Sequence, residues 1–152
     1  MNSRVFSFIF AFALINTCLA ATELPKTVSK NHFEAFENST ITNWVSSSTG
    51  EEKLFLVEFT HNEWRNEAYY DQTGRLQSHL IYIKFIPESI TSFVQEQYEN
   101  AEIKNLVLRK EFEKGTTSST IYTVLIKSEK GIFPISLSFE SATDKLELLA
   151  HH

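Results

Sequence analysis

Two stretches of the chain set apolar residues three and four positions apart, each just after a proline. Val28, His32, Phe33 and Phe36 follow Pro25, and Ile90, Phe93, Val94 and Tyr98 follow Pro87. The spacing predicts two short amphipathic helices, and proline suits a first helical turn, where its missing N–H has no partner to lose. Both stripes are narrow, so each helix is expected to lie on one face of a sheet. Asn38-Ser39-Thr40 and Glu99-Asn100 end the two runs. The rest alternates apolar and polar positions and is rich in β-branched and aromatic residues, which predicts strands. In the first half these are Ile41 to Val45, Leu54 to Thr60, Trp64 to Tyr70 and Arg75 to Ile83, with a polar loop from Ser46 to Gly50 and a turn from Asp71 to Gly74. In the second half they are Ile103 to Phe112, Thr120 to Ile126, Ile132 to Phe139 and Lys145 to Leu149. Connections this short join only antiparallel neighbours, so a meander is expected.

The pattern occurs twice with one offset. Leu24-Pro25, Val28, Phe36-Glu37-Asn38, Ile41, Asn43 and Val45 recur as Ile86-Pro87, Ile90, Tyr98-Glu99-Asn100, Ile103, Asn105 and Val107, every pair 62 positions apart. The expected fold class is therefore α+β, a tandem repeat of a helix plus a four-stranded antiparallel meander with the helices on one face of the sheet. The expected division is a signal segment at 1–20, a first repeat at 21–85 and a second at 86–152. A unit of about 60 residues buries only ~60% of its unfolded surface, so the halves should share a core or a sheet.

Laying one copy on the other assigns the faces. Phe55, Val57 and Phe59 correspond to Tyr122, Val124 and Ile126, and Trp64, Ala68 and Tyr70 to Phe133, Leu137 and Phe139. These sets are apolar in both copies and belong beneath the helices. The helix-free face then carries Leu54, Leu56, Glu58, Arg65, Glu67 and Tyr69 in the first copy, and Ile121, Thr123, Leu125, Lys127, Ser136 and Ser138 in the second. A wetted sheet face normally reads polar. This mixture of aliphatic, aromatic and charged residues is what an interaction surface shows, and scattered surface hydrophobics are the plainer alternative. Trp64 falls in the core register, and Trp44, aligned with Leu106, falls near a sheet margin.

The N-terminus reads as a secretory signal, with Arg4, an apolar run of eleven residues from Val5 to Ile15, and small residues before a cut after Ala20. A membrane span takes about 20 residues, so a retained anchor is the weaker reading. A lipoprotein through Cys18 is the third, and Thr17 is not the small residue such a signal places before its cysteine. Cleavage removes the only cysteine and leaves 13 basic against 19 acidic side chains, a net charge of −6. No internal disulfide can then form, and stability must come from packing. The negative balance disfavours nucleic acid and anionic membrane surfaces, both of which attract basic patches. A periplasmic or secreted location follows, with no transmembrane anchor after processing.

Catalysis and cofactor binding leave spacings that are missing here. There is no Gly-x-Ser-x-Gly, no His-Glu-x-x-His and no glycine-rich phosphate loop, so no catalytic residue, metal or cofactor is expected. His61 and Glu63 fall in an expected turn, where a solvated loop explains them as well as an acid and base pair does. His151-His152 supplies two adjacent imidazoles, fewer than the three or four ligands of a stable zinc site.

An X-Pro before a short helix, an aromatic and Asn near its end, a strand opening Ile-x-Asn-Trp, and Glu-Ala-Tyr-Tyr-Asp-Gln-Thr-Gly-Arg-Leu from Glu67 to Leu76 together resemble the PepSY-like, beta-lactamase-inhibitor-like periplasmic proteins of Bacteroidota. The resemblance runs from about Leu24 to Leu149. It implies two small sheets joined into one concave sheet, and an exported protein that binds or inhibits another protein. The mature chain departs from the true inhibitor in lacking disulfides, and no inhibitory residue matches position by position. The expectation is a non-enzymatic binding module that clamps a protein loop or peptide, in the envelope or outside the cell, on Leu54, Leu56, Glu58, Arg65, Glu67 and Tyr69. The alternative is a structural or envelope-assembly component that self-associates through this face or through Arg75 to Ile83 as an edge strand, since Leu80 to Ile83 would invite pairing.

Overall fold

Pro25 and Pro87 cap two ten-residue helices, α1 (Lys26–Ala35) and α2 (Glu88–Gln97). Their φ values, −51° and −58°, are those the proline ring imposes, and the helix start needs no donor N–H there. Each helix buries two residues four apart: Val28 and His32 in α1, Ile90 and Val94 in α2. Asn38 and Asn100 then turn the chain through left-handed φ values of 61° and 56°, a region that asparagine visits more readily than most side chains. The computed structural model describes residues 23–49, 52–140 and 145–149. The expected signal segment with Cys18 and Ala20, Gly50, the expected turn at 141–144 and His151-His152 lie outside the described residues.

The strands are β1 (Thr40–Thr49), β2 (Glu52–His61), β3 (Trp64–Asp71), β4 (Leu76–Tyr82), β5 (Glu102–Glu113), β6 (Thr116–Ser128), β7 (Gly131–Glu140) and β8 (Lys145–Leu149). They form one eight-stranded antiparallel sheet in sequential order, so the fold is α+β with two helices and a meander. The ladder slips once between Ile41 and Asn43 and again between Ile103 and Asn105, 62 residues apart. The β2–β3 and β5–β6 hairpins turn on two residues each, Asn62-Glu63 and Lys114-Gly115, all at positive φ as an I′ turn demands.

Two expectations are corrected. The strand beginning near Arg75 is not an edge: β4 pairs with β3 on one side and β5 on the other, which leaves β1 and β8 at the margins. Ser78 meets Glu111 and Tyr82 meets Val107 across that seam. Every rung satisfies backbone donors that an edge would leave open, so self-association through β4 has no free hydrogen-bonding side to use. The polar stretch Ser46 to Ser48 is also strand rather than loop, because pairing with Phe55, Leu54 and Lys53 outweighs its weak intrinsic preference.

Two core clusters lie on the sheet. Val28 and Phe36 pack with Phe55, Val57, Phe59, Ala68 and Tyr70, while Ile90 and Val94 pack with Leu106, Val124, Ile126, Ile135 and Leu137. The registers Val57–Ala68–His79–Lys110 and Leu108–Tyr122–Leu137 carry the strand members of both clusters along one face. Trp44 is partly buried against the first cluster, its ring 6.5 Å from Phe55.

α1 is anchored by the β3–β4 turn. Asp71 Oδ1 accepts from the backbone N–H groups of Thr73 (2.8 Å) and Arg75 (3.0 Å), and Asn31 Nδ2 donates to the Gly74 carbonyl at 2.8 Å. Partial burial pushes the Asp71 carboxyl upward, and the hydrogen bonds from Thr73 and Arg75 outweigh it and hold the group below its ordinary value. Gly74 has φ +81°, and a Cβ there would stand 3.0 Å from the Thr27 carbonyl carbon. Gly74→Ala is therefore expected to cost about 2 kcal/mol or more in urea unfolding, from the left-handed backbone plus the collision. Gly115→Ala shares the φ but meets nothing within 4 Å. It should cost less, and equal losses would mean that α1 does not sit on this turn.

Candidate functional site

On the face opposite the two clusters, β2 and β3 project Leu54, Leu56 and Glu58 beside Arg65, Glu67 and Tyr69. The ladder sets Leu56 against Tyr69 and Glu58 against Glu67, so all six residues expected from the alternation share one face. The same register continues from Glu67 to Leu80, Arg109 and Ile121, and from Tyr69 to Ser78 and Glu111.

A charged network organises the centre. Glu67 is only 7% exposed, yet it is a carboxylate on an outward face. Its Oε1 accepts from Arg65 Nη2 at 2.8 Å and from the Tyr82 hydroxyl at 2.6 Å, which compensates for the lost water. Arg65 Nη2 lies 3.5 Å from Glu58 Oε1, and its guanidinium rests 4.4 Å from the centre of the Tyr82 ring. Asn43 Nδ2 donates to Glu58 Oε2 at 3.3 Å, tying β1 into the same group. On β5, Arg109 pairs with Glu111.

Both tyrosines stay protonated at neutral pH. Burial raises the Tyr69 hydroxyl to about 12, helped by the charge of Glu67 and opposed by Arg109. Burial, then the hydrogen bond to Glu67, pushes Tyr82 upward as well. They are therefore O–H donors and flat apolar surfaces, while the Arg65 side chain remains 61% exposed. The arrangement offers a held-out guanidinium and phenols among Leu54, Leu56, Leu80 and Ile121. Tyrosine and arginine are the residue types that dominate binding energy at interfaces.

Sequence reasoning placed Leu54, Leu56, Glu58, Arg65, Glu67 and Tyr69 together but missed Leu80, Tyr82, Arg109 and Glu111. The signal was present, since Ser78, Leu80 and Tyr82 alternate, as do Val107, Arg109 and Glu111. Reading β4 as an edge separated it from β5 and hid the continuity.

Histidines form a second constellation on the cluster side. His32 is buried in the slot that Val94 fills in the second half, its Nδ1 2.9 Å from the Tyr70 hydroxyl and its Nε2 3.0 Å from Ser39 Oγ. Burial, then the charge of His61, lowers it to about 4. His79 is lowered to about 4 by burial, then by Lys110, His61 and His32. His61 ends β2 rather than occupying a solvated loop, and its ring lies 6.0 Å from Phe36. Glu63 is exposed in the adjoining turn, where its carbonyl accepts from Lys84 Nζ at 2.6 Å. Among the described residues, no three His, Cys, Asp or Glu side chains converge to hold a metal.

No family model matches the sequence, and no curated protein matches it either. Solved structures do. A BLIP-like protein from Bacteroides fragilis superposes with a TM-score of 0.59 over 87% of this chain and 91% of its own, at 13% identity. The chain has the fold of that protein. A DUF2874-family protein from Bacteroides ovatus gives 0.58 over 78% and 82% at 14% identity. A protein from Bacteroides eggerthii, provisionally described as periplasmic, gives 0.58 over 84% and 90% at 8% identity. These are the BLIP-like group to which the sequence resemblance pointed, and the likeness is one of fold. Among the described residues no helix is long and apolar enough to cross a membrane.

Proposed function

We propose that the chain is a non-enzymatic, exported binding module, built from two copies of one helix-and-meander unit, that clamps a protein loop or peptide on its outer sheet face. The observation that carries this reading is the network in which Glu67, buried on an outward face, holds Arg65 and Tyr82 in place beside Leu56 and Tyr69. A partner that covers the face would exclude water from interactions already arranged, with little side-chain ordering left to do. The duplication is supported by the helices, the asparagine turns and the ladder slips, all spaced by 62 residues. Export to the periplasm or beyond agrees with the signal-like N-terminus and with the description of the B. eggerthii neighbour. The name of the B. fragilis neighbour adds an inhibitor-like role to the possibilities for the partner.

The test begins with peptides selected from a random library on the full mature chain. The double variant Leu56→Ser, Arg65→Ala is expected to weaken the selected peptides by about a hundredfold, since anchors of these types contribute about 1–2 kcal/mol or more each. Its circular dichroism should stay near that of the parent and its melting temperature fall only modestly, because Leu56 is only half-buried and Tyr82 still donates to Glu67 when Arg65 is gone. Undiminished binding by the folded variant would refute the reading.

A further inference from the structure

The cluster side of the sheet carries a separate feature where the halves meet. Neither core cluster takes in Lys110 or Phe112, which lie on β5 beside the β4 seam. A cavity of about 340 Å³ opens there, walled by Phe36, Leu76 and Phe112 and lined by His61, His79 and Lys110. The volume falls within the range of small-molecule sites.

Its polarity is one-sided. The lining includes two imidazoles and an ammonium group but no carboxylate. Lys110 faces His79 across the β4–β5 ladder, and none of the ion pairs among the described residues includes it. The Asn66 amide donates to the Trp64 carbonyl at 2.7 Å, so its Oδ1 accepts from His79 Nε2 at 2.9 Å and fixes that ring. His61 Nδ1 is buried with no hydrogen-bond partner. A buried ring nitrogen normally finds a partner, and the ring that carries this one lines a cavity with an unpaired cation. The ammonium also acts within the cluster, where burial and then Lys110 lower His79.

We propose that this cleft binds a small organic carboxylate with an apolar tail, its carboxylate against Lys110 and His61 and its hydrocarbon against Phe36, Leu76 and Phe112. One fixed cation matches one negative charge, and three apolar walls exclude a fully hydrated anion. The site lies across the sheet from the proposed partner surface and does not depend on it.

Octanoate is the probe, titrated calorimetrically at pH 7 into the full mature chain. Saturable binding is expected, with octan-1-ol and acetate each at least about tenfold weaker, since one lacks the charge and the other the tail. Octanoate should shift the imidazole resonances of His61. Lys110→Met should weaken octanoate by about tenfold and Lys110→Arg recover most of the loss, with melting unchanged because Lys110 is only half-buried. Absence of saturable binding, equal binding of octan-1-ol, equal binding of acetate, or full affinity in a folded Lys110→Met chain would each overturn the assignment.

Discussion

Phe59→Ala is expected to remove about 3–5 kcal/mol from the unfolding free energy, a large share of what a domain of this size possesses. Phe59 is 1% exposed and is the hub of the first cluster, with ring centres of His32 at 4.5 Å, Phe36 at 4.7 Å and His79 at 5.9 Å. Removing the ring strips those contacts and leaves a void that α1 and β4, both tied into ladders and turns, cannot close. Urea unfolding followed by tryptophan fluorescence reads this half directly, since Trp44 and Trp64 both lie in it. Far-ultraviolet circular dichroism reads both halves. The paired β4–β5 seam predicts one coincident transition by the two probes. A loss below about 1 kcal/mol would remove Phe59 from the core, and two separated transitions would show that the seam does not couple the halves.

Acid should unfold the protein at a pH where most domains of this size are still folded. His32 and His79 are 0% and 7% exposed, and both are lowered to about 4, chiefly by burial. In the unfolded chain an imidazole takes up its proton as the pH falls through about 6.5, whereas in the fold it resists until about 4. The stability contributed by the neutral rings is therefore complete above about pH 6.5 and is lost progressively between there and 4. A shift of this size is worth on the order of 3 kcal/mol per histidine, so about 5 kcal/mol or somewhat more disappears across that window. Urea midpoints at pH 7, 5 and 4 check it. His32→Val installs the residue type found at Val94, the corresponding position of α2, and should reduce the slope by about half. The variant should itself be about 1–3 kcal/mol weaker at pH 7, because the Tyr70 hydroxyl loses its partner. Its curve and that of the parent should converge as the pH approaches 4. A midpoint that stays flat from pH 7 to 4 in the parent would contradict the buried neutral imidazoles.

The histidines show where reading from sequence stopped. His32 stands in an apolar stripe at helical spacing, which located it in α1. Nothing in the spacing revealed that Tyr70, 38 residues away, would face it, or that His61 would share Phe36 with it and His79 both Phe36 and Phe59. His61 read as a loop residue because it borders Asn62-Glu63, yet a two-residue turn keeps the strand intact to that position. The outer face was legible by contrast, because alternation assigns each residue to a side once the strand is recognised. Leu54, Leu56, Glu58, Arg65, Glu67 and Tyr69 needed only that, together with antiparallel pairing, to fall into one patch.

Local periodicity by itself determined the two helices, the antiparallel strands apart from stretches such as Ser46 to Ser48, and the side on which the residues of the recognised strands stand, because these follow from spacings of two to four residues along one element. The tertiary structure alone decided that β4 lies at the centre of the sheet, that Tyr82 reaches Glu67, and that imidazoles and Lys110 line one cavity. Those outcomes depend on which strand follows β4 in space and at what register. Backbone hydrogen bonding across the β4–β5 seam sets that pairing, and a ladder rung carries no mark of its partner in the order of residues.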